Sequence, residues 1–164
     1  SRGLGDVYKR QGQYYKKLQH LFDLMLWLSI GIALPMTFLS ESVIKILFGA
    51  TYLDASPILS IHIWASVFVF LGVANSKWFI AENRQILSFH RTTTGALTNI
   101  LLNFLFIPRF QEIGAAIATI ISYAIATIIS DLFQKETRFL FFMKVKSFNL
   151  LEIISRTRIL KDSL

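Results

Sequence analysis

The sequence predicts an all-α membrane protein whose chain crosses the bilayer several times. Apolar residues make up 54% of the 164 residues and charged residues only 16%, whereas a soluble domain carries about 25% charged residues. The mean hydropathy is +0.53. The apolar residues form four continuous runs, without the apolar–polar alternation that is typical of a transmembrane β-barrel. Because bare hydrocarbon accommodates only helices and closed barrels, these observations indicate a bundle of transmembrane helices.

Each apolar run is interpreted as one transmembrane helix, because about 20 mostly apolar residues cross a bilayer. The predicted spans are residues 21–39, 57–80, 88–107 and 113–133. Pro57 suits the first turn of the second span, and Pro108 is expected to end the third span. Residues 40–49 are expected to form a separate short interfacial helix, with Ser40 as its N-cap and Gly49 at its end.

Lys and Arg are distributed unevenly among the segments that flank these spans. They are abundant before the first span, after the second and after the fourth, and scarce in the other two connections. Since positive residues are retained on the cytoplasmic side, both ends of the chain are expected in the cytoplasm. This bias accounts for most of the net charge of +7, so nucleic-acid binding is not predicted. Residues 139–164 are too charged to span and are predicted to form a basic amphipathic cytoplasmic tail at the inner leaflet.

The first eleven residues, SRGLGDVYKRQ, do not fit the pattern of the remaining chain. They lack the apolar stretch and cleavage site of a signal peptide, and they resemble the in-frame translation of a sequencing-library adaptor. Residues 1–11 are therefore predicted to be an artefact, and the chain from Gly12 onward is expected to be the C-terminal part of a longer protein. The alternative is a natural polar N-terminal segment.

Catalytic and metal-binding patterns are missing from the sequence. It has no cysteine and three widely separated histidines, so neither a disulfide nor a zinc site is predicted. It also lacks a glycine-rich phosphate loop and the HExxH and GxSxG motifs. Neither a cofactor nor an enzymatic activity is therefore predicted.

Four polar residues in or beside the apolar runs are candidates for a substrate pathway: Asn75, Lys77, Asn99 and Asn103. Asn99 and Asn103 are four residues apart and share a helix face, which should point into the bundle because amides in hydrocarbon need partners. That face either lines a transport cavity or joins helices through hydrogen bonds, which is the commoner role. Asn75 and Lys77 are expected near the inner end of the second span, where they would meet a lipid pyrophosphate. Alternatively, Lys77 extends its ammonium to the interface.

Three features follow one another in a fixed order between residues 22 and 138: Phe48-Gly49 with Tyr52, then Asn99 and Asn103 with Pro108, then Gly114-Ala115-Ala116 at the start of a small-residue helix. In this order they resemble the C-terminal part of Wzx-type oligosaccharide flippases of the MATE-like multidrug/oligosaccharidyl-lipid/polysaccharide exporter superfamily. The resemblance implies a polytopic membrane protein in which these four transmembrane helices form the last part of the second lobe of a twelve-helix transporter.

The resemblance also implies a function for the complete protein. It would flip undecaprenyl-pyrophosphate-linked oligosaccharides across the bacterial inner membrane for polysaccharide or O-antigen (lipopolysaccharide) biosynthesis. Its partners would be that lipid-linked oligosaccharide, membrane lipids and the missing N-terminal lobe of the same protein. Two alternatives remain open: a cation-coupled MATE-type drug exporter, and a membrane-embedded polysaccharide polymerase or ligase. The polymerase or ligase would need catalytic groups on the outer face, where this sequence offers few charged residues.

Overall fold

The structure is a computed structural model that describes the backbone of residues 2–149 and the side chains of residues 11–149. This part of the chain is helical with short connections. The elements in chain order are α1 (Arg2–Phe48), a 3₁₀ segment (Ala50–Ala55), α2 (Ser56–His62), α3 (Ala65–Ala81), α4 (Gln85–Ala124), a π-helical segment (Ile125–Ile129), α5 (Ser130–Phe133) and α6 (Arg138–Ser147). Most of the predicted tail, residues 150–164, lies outside the described residues.

α1 is one continuous helix, where the sequence predicted a span followed by a separate interfacial helix. Ser40 is not an N-cap, because it lies inside α1 and its hydroxyl donates to the carbonyl oxygen of Thr37 at 3.3 Å. A serine that bonds back to its own helix need not interrupt that helix, so the prediction of a separate helix was wrong. The predicted end of the helix is confirmed, since Gly49 has a φ of 91°, a conformation that glycine adopts without steric cost.

The second apolar run forms two helices rather than one. The segments Ala50–His62 and Ala65–Ala81 meet at a bend of 44°. Beside the bend, the indole Nε1 of Trp64 donates to the Thr37 hydroxyl of α1 at 3.1 Å. Pro57 lies in the first turn of α2, as predicted.

The long helix α4 reverses direction at Gln111, whose φ of 51° and ψ of −129° are not helical. Asn99 before the reversal donates to Thr119 after it at 3.5 Å, and a Cβ added to Gly95 would lie 2.8 Å from the Cβ of Ala126. A straight helix would place residues 95 and 126 about 46 Å apart at ~1.5 Å per residue. Residues 85–133 therefore form a helical hairpin, with a first arm of residues 85–110 and a second arm of residues 112–133.

The turn of this hairpin depends on Gly114 rather than on Pro108. Pro108, predicted to end the third span, lies inside the helix, because one missing N–H weakens a helix without always ending it. A Cβ on Gly114 would lie 2.6 Å from the carbonyl oxygen of Phe106. Glycine at this position therefore lets the second arm begin directly against the end of the first, as small residues do between membrane helices.

Two helices in the described residues are long and apolar enough to cross a membrane, Gln11–Phe48 and Gln85–Phe133. The bent pair Ala50–His62 and Ala65–Ala81 adds a third if it counts as one span. The second long helix contains the reversal at Gln111 described above. These helices fit a membrane location for an all-α protein.

α6 packs into the helix bundle instead of lying on its surface. Leu140 is fully buried and belongs to the same apolar core as Phe22, Leu71 and Phe79. Lys144 is 0% exposed, which departs from the position near lipid headgroups that the sequence predicted for the basic residues of the tail. A carboxylate at the end of the second arm accounts for this burial, as described next.

Candidate functional site

A cleft of about 700 Å³ lies between α3 and the two arms of the α4 hairpin. Apolar side chains form much of its wall. Its polar lining includes Ser76, Arg91, Thr92, Asn99, Thr119 and Thr127. Among the lining residues that the structure describes, Arg91 alone carries a permanent charge. The cleft thus combines apolar walls, hydroxyl and amide groups and one fixed cation, a composition that suits an amphipathic ligand.

The two asparagines predicted to share a helix face are hydrogen-bonded to each other. The Nδ2 of Asn103 donates to the Oδ1 of Asn99 at 2.9 Å. Asn99 in turn donates to Thr119 across the hairpin and lines the cleft. Asn99 therefore both lines a cavity and joins two helix arms through a hydrogen bond, the two roles considered from the sequence. Asn103 lies one turn beyond the cleft lining.

Asn75 and Lys77, the second predicted pair, point in different directions. Asn75 is 0% exposed, while Lys77 is on the exposed side of α3. Residues two apart on a helix do not face each other, so these side chains do not form a joint site. Lys77 lies outside the cleft lining.

Asn75 belongs to a polar cluster, made of Asn75, Arg91, Thr127, Asp131 and Lys144, at one end of the cleft. Four of these side chains are buried, and Arg91 is half-buried. The ammonium of Lys144 donates to the carboxylate of Asp131 and to the backbone carbonyl of Thr127. Asp131 is 2% exposed. Thr127 lies in the π-helical segment Ile125–Ile129, and its carbonyl accepts from Lys144 on the neighbouring helix α6. Single-turn π segments inside α-helices are frequent at functional sites.

The amide of Asn75 bridges the charged groups of this cluster. In one orientation its Nδ2 lies 3.3 Å from the carboxylate of Asp131. In the other, its oxygen accepts from Arg91 at 2.8 Å and from Lys144 at 2.9 Å. The second orientation matches acceptor to donor at both cations.

Arg91 connects the polar cluster to the cleft. One terminal nitrogen of its guanidinium donates to the carbonyl of Gly72 at 3.4 Å and to the hydroxyl of Ser76 at 3.3 Å. The guanidinium carbon lies 5.2 Å from the centre of the Phe79 ring, within the range of a cation–π contact. These contacts hold the guanidinium in one place at the cleft wall.

Burial also changes the acid–base behaviour of Lys144. Loss of hydration disfavours its charged form and lowers its pKa from 10.5 to about 8, even though the neighbouring Asp131 carboxylate acts in the opposite direction. The positive charge of Arg91 adds a smaller lowering contribution. Lys144 can therefore change its charge near neutral pH.

A second polar network fixes α6 against α1. The hydroxyl of Ser147 donates to Asp23 at 2.6 Å, and the side chain of Gln19 donates to Asp23 and to the Met143 carbonyl, each at 2.9 Å. Trp27 donates to the Ser147 carbonyl at 3.2 Å. Within residues 11–149, no group of three or more His, Cys, Asp or Glu side chains is placed to hold a metal ion.

Asp131 lies near the end of the fourth predicted span and Lys144 in the predicted tail, and no pattern in the sequence indicated that they meet. One signal was present, since an ionisable residue at the end of an apolar run marks a candidate site by default. Its partners could not be found from spacing, because they lie on three different helices.

Comparison with known proteins finds similarity to membrane proteins over part of this chain. No protein-family profile matches the chain, and no solved structure is significantly similar. An uncharacterized membrane protein of Methanocaldococcus jannaschii is 30% identical over 118 residues, which cover 72% of this chain and 23% of that protein. A probable low-salt glycan biosynthesis flippase of Haloferax volcanii is 29% identical over 90 residues, which cover 55% of this chain and 19% of that protein. The chain is therefore similar to membrane proteins, one of them named as a flippase, and it spans less than a quarter of each.

Proposed function

We propose that this chain is part of a membrane transporter that flips lipid-linked glycans, and that the cleft forms part of the substrate path. This proposal rests on the composition of the cleft. A lipid-linked glycan has three kinds of surface, and the cleft has groups complementary to each. Its lipid is apolar, its sugars carry hydroxyl groups, and its phosphate is an anion. The similarity to a protein named as a glycan biosynthesis flippase supports the same function. No chemical step is required, so the proposed activity is transport and not catalysis.

The proposal includes four membrane crossings, which are α1, the bent pair α2–α3 and the two arms of the α4 hairpin. An ion pair of 3.0 Å joins Arg84, which follows α3, to Glu136, which follows α5. This contact supports a topology in which these two connections lie on the same side of the membrane. The abundance of Lys and Arg on that side favours the cytoplasm.

The proposal also assigns a family and a substrate to the complete protein. The complete protein would be a Wzx-type flippase with a MATE-like pair of lobes, acting on undecaprenyl-pyrophosphate-linked oligosaccharides in a bacterial inner membrane. Alternating access would move one lobe against the other around the substrate. Residues 12–164 would supply part of one lobe, so this part alone is expected to insert into a membrane without flipping substrate.

The test is made in cells that lack the complete gene. Loss of a flippase leaves the lipid-linked glycan on the inner face, and the intact gene restores export. Asn99→Leu, which removes the amide from the cleft wall, is expected to reduce export about tenfold, which corresponds to ~1.4 kcal/mol. Thr94→Leu is the matched control, because Thr94 is exposed on the same arm and lies outside the cleft lining. Full export with Asn99→Leu at normal protein levels would contradict a role of the cleft in transport.

A further inference from the structure

The polar cluster holds two cations and one carboxylate. In the described part of the chain, the charge of Asp131 acts on both Lys144 and Arg91, but its carboxylate forms its direct ion pair with Lys144. The other contacts of Arg91 are to neutral groups, namely a backbone carbonyl, a hydroxyl, an amide and an aromatic ring. Arg91 is half-buried, and a cation that is partly removed from water without a full counter-charge costs free energy. Counted over residues 11–149, the cluster is thus one negative charge short of balance.

Within residues 11–149, Arg91 is open to a further anion on the side that faces the cleft. Arg91 lines the cleft, while its other side is closed by Phe79 and by the cluster itself. Its contacts with Gly72, Ser76 and Asn75 use the two terminal nitrogens. Within residues 11–149 these contacts leave the Nε–H of Arg91 available to a ligand.

The free donor and the permanent charge of Arg91 favour an oxyanion as the ligand. The Nε–H of the guanidinium can form a charge-assisted hydrogen bond with an oxygen of a phosphate or carboxylate. Held by Phe79 and Ser76, the guanidinium loses little side-chain freedom when the anion binds. Thr92, next in the chain, also lines the cleft, but its hydroxyl donates to the Ser88 carbonyl at 3.0 Å, so Arg91 is the donor on which the anion depends.

We propose that Arg91 binds the phosphate group of an amphipathic ligand whose apolar part lies along the cleft walls. This inference rests on the proposed function, in which the ligand is a lipid-linked glycan carried on phosphate or pyrophosphate. A phospholipid headgroup and free pyrophosphate carry the same chemistry, and the experiment below distinguishes these sources.

The test measures ligand binding to the purified full chain in nanodiscs of uncharged lipid. Three probes are compared with polyprenyl pyrophosphate: polyprenol, which lacks phosphate; inorganic pyrophosphate, which lacks the lipid; and phosphatidylglycerol. Polyprenyl pyrophosphate is expected to bind at least about tenfold more tightly than each of them. Polyprenol and inorganic pyrophosphate each lack one of the two binding elements, and the phosphodiester of phosphatidylglycerol carries less negative charge than a pyrophosphate. Equal binding of polyprenol would overturn the proposal. Equal binding of phosphatidylglycerol would assign the site to bulk lipid and overturn the substrate assignment.

Variants locate the phosphate. Arg91→Gln is expected to weaken binding of polyprenyl pyrophosphate at least about tenfold, and Arg91→Lys less, since it keeps the charge but loses the Nε–H donor. Arg84→Gln is the matched control, because Arg84 is exposed and ion-paired to Glu136, and it should leave binding unchanged. If Arg84→Gln weakened binding of polyprenyl pyrophosphate equally, the ligand would be attracted by positive charge in general and not bound at Arg91, which would overturn the site. Unchanged binding in Arg91→Gln would overturn the site.

Each outcome can be separated from the fate of the proposed function. Folding of Arg91→Gln is checked by circular dichroism and size-exclusion chromatography. If this variant does not fold, the lysine variant and the comparison of the four probes on the unaltered chain still decide whether Arg91 binds the phosphate. Unchanged binding in Arg91→Gln together with normal export in cells would reject the phosphate site and leave the flippase intact.

Discussion

Lys144 of α6 donates to the carboxylate of Asp131 at the end of the second hairpin arm, and both side chains are closed off from solvent. This pair joins a basic helix, which composition alone places on the membrane surface, to the interior of the bundle. Burying an ion pair is weak evidence of net stabilisation, but removing one partner leaves an uncompensated charge. The pair therefore makes the position of α6 sensitive to single substitutions.

Lys144→Met is expected to lower the free energy of unfolding by about 3–5 kcal/mol, because Asp131 would remain buried without the ammonium that it contacts directly. Lys146→Met is the matched control, since Lys146 is exposed in the same helix, and it should change stability by about 0.5 kcal/mol or less. Reversible unfolding in mixed micelles measures the free energy of unfolding of both variants. The double variant Lys144→Met/Asp131→Asn should recover part of the loss, and equal effects of the two single variants would show that the ion pair does not support the fold.

The ammonium of Lys144 is expected to titrate with a midpoint near pH 8. The folded state then binds fewer protons than the unfolded state between pH 8 and 10.5, so this group alone makes stability rise with pH in that window. Nuclear magnetic resonance of ¹³C-labelled lysine follows the titration, with the signal assigned by its absence in Lys144→Met. Asp131→Asn should lower the midpoint further, because the carboxylate favours the charged lysine. A midpoint above 10 would contradict the burial of Lys144.

The close approach of the hairpin arms predicts opposite outcomes for two glycines. Gly114→Ala should destabilise the protein by about 1–3 kcal/mol, because the new Cβ would meet the Phe106 carbonyl at 2.6 Å. Gly31→Ala should be neutral or stabilising by up to ~1 kcal/mol, since nothing lies within 4 Å of a Cβ there. Thermal unfolding of the two variants gives the comparison. A tolerated Gly114→Ala would mean that the second arm does not start against the first.

The four-crossing topology predicts the side of each connection. Reporter fusions after Gly49 and after Phe110 should give external signals, and fusions after Glu82 and after Glu136 should give cytoplasmic ones. The reversal at Gln111 makes the fusion after Phe110 the most informative. A cytoplasmic signal at Phe110 would mean that the hairpin dips into the membrane without crossing it.

Helical class and a membrane location could be predicted from the sequence, because long apolar runs without alternation have few alternative structures. The shared face of Asn99 and Asn103 also follows from helical spacing. Helix ends were less predictable. Pro108 does not end its helix and Ser40 does not begin one, since tertiary packing outweighs these local signals.

The polar cluster shows why long-range partners could not be predicted. Asn75, Arg91, Asp131 and Lys144 meet because the hairpin folds back and α6 turns into the bundle. No local spacing links these positions. Lys77, two residues from Asn75, points away from the cluster because helical geometry separates neighbours at that spacing.

The most direct test of the central claim, that the cleft belongs to a lipid-linked glycan flippase, is translocation by the complete protein in liposomes. A fluorescent lipid-linked oligosaccharide is placed in one leaflet, and its arrival in the other is followed over time. The account predicts translocation well above that of protein-free liposomes, reduced about tenfold by Asn99→Leu and unchanged by Thr94→Leu. Translocation at the protein-free rate, by a complete protein shown to be folded, would contradict it.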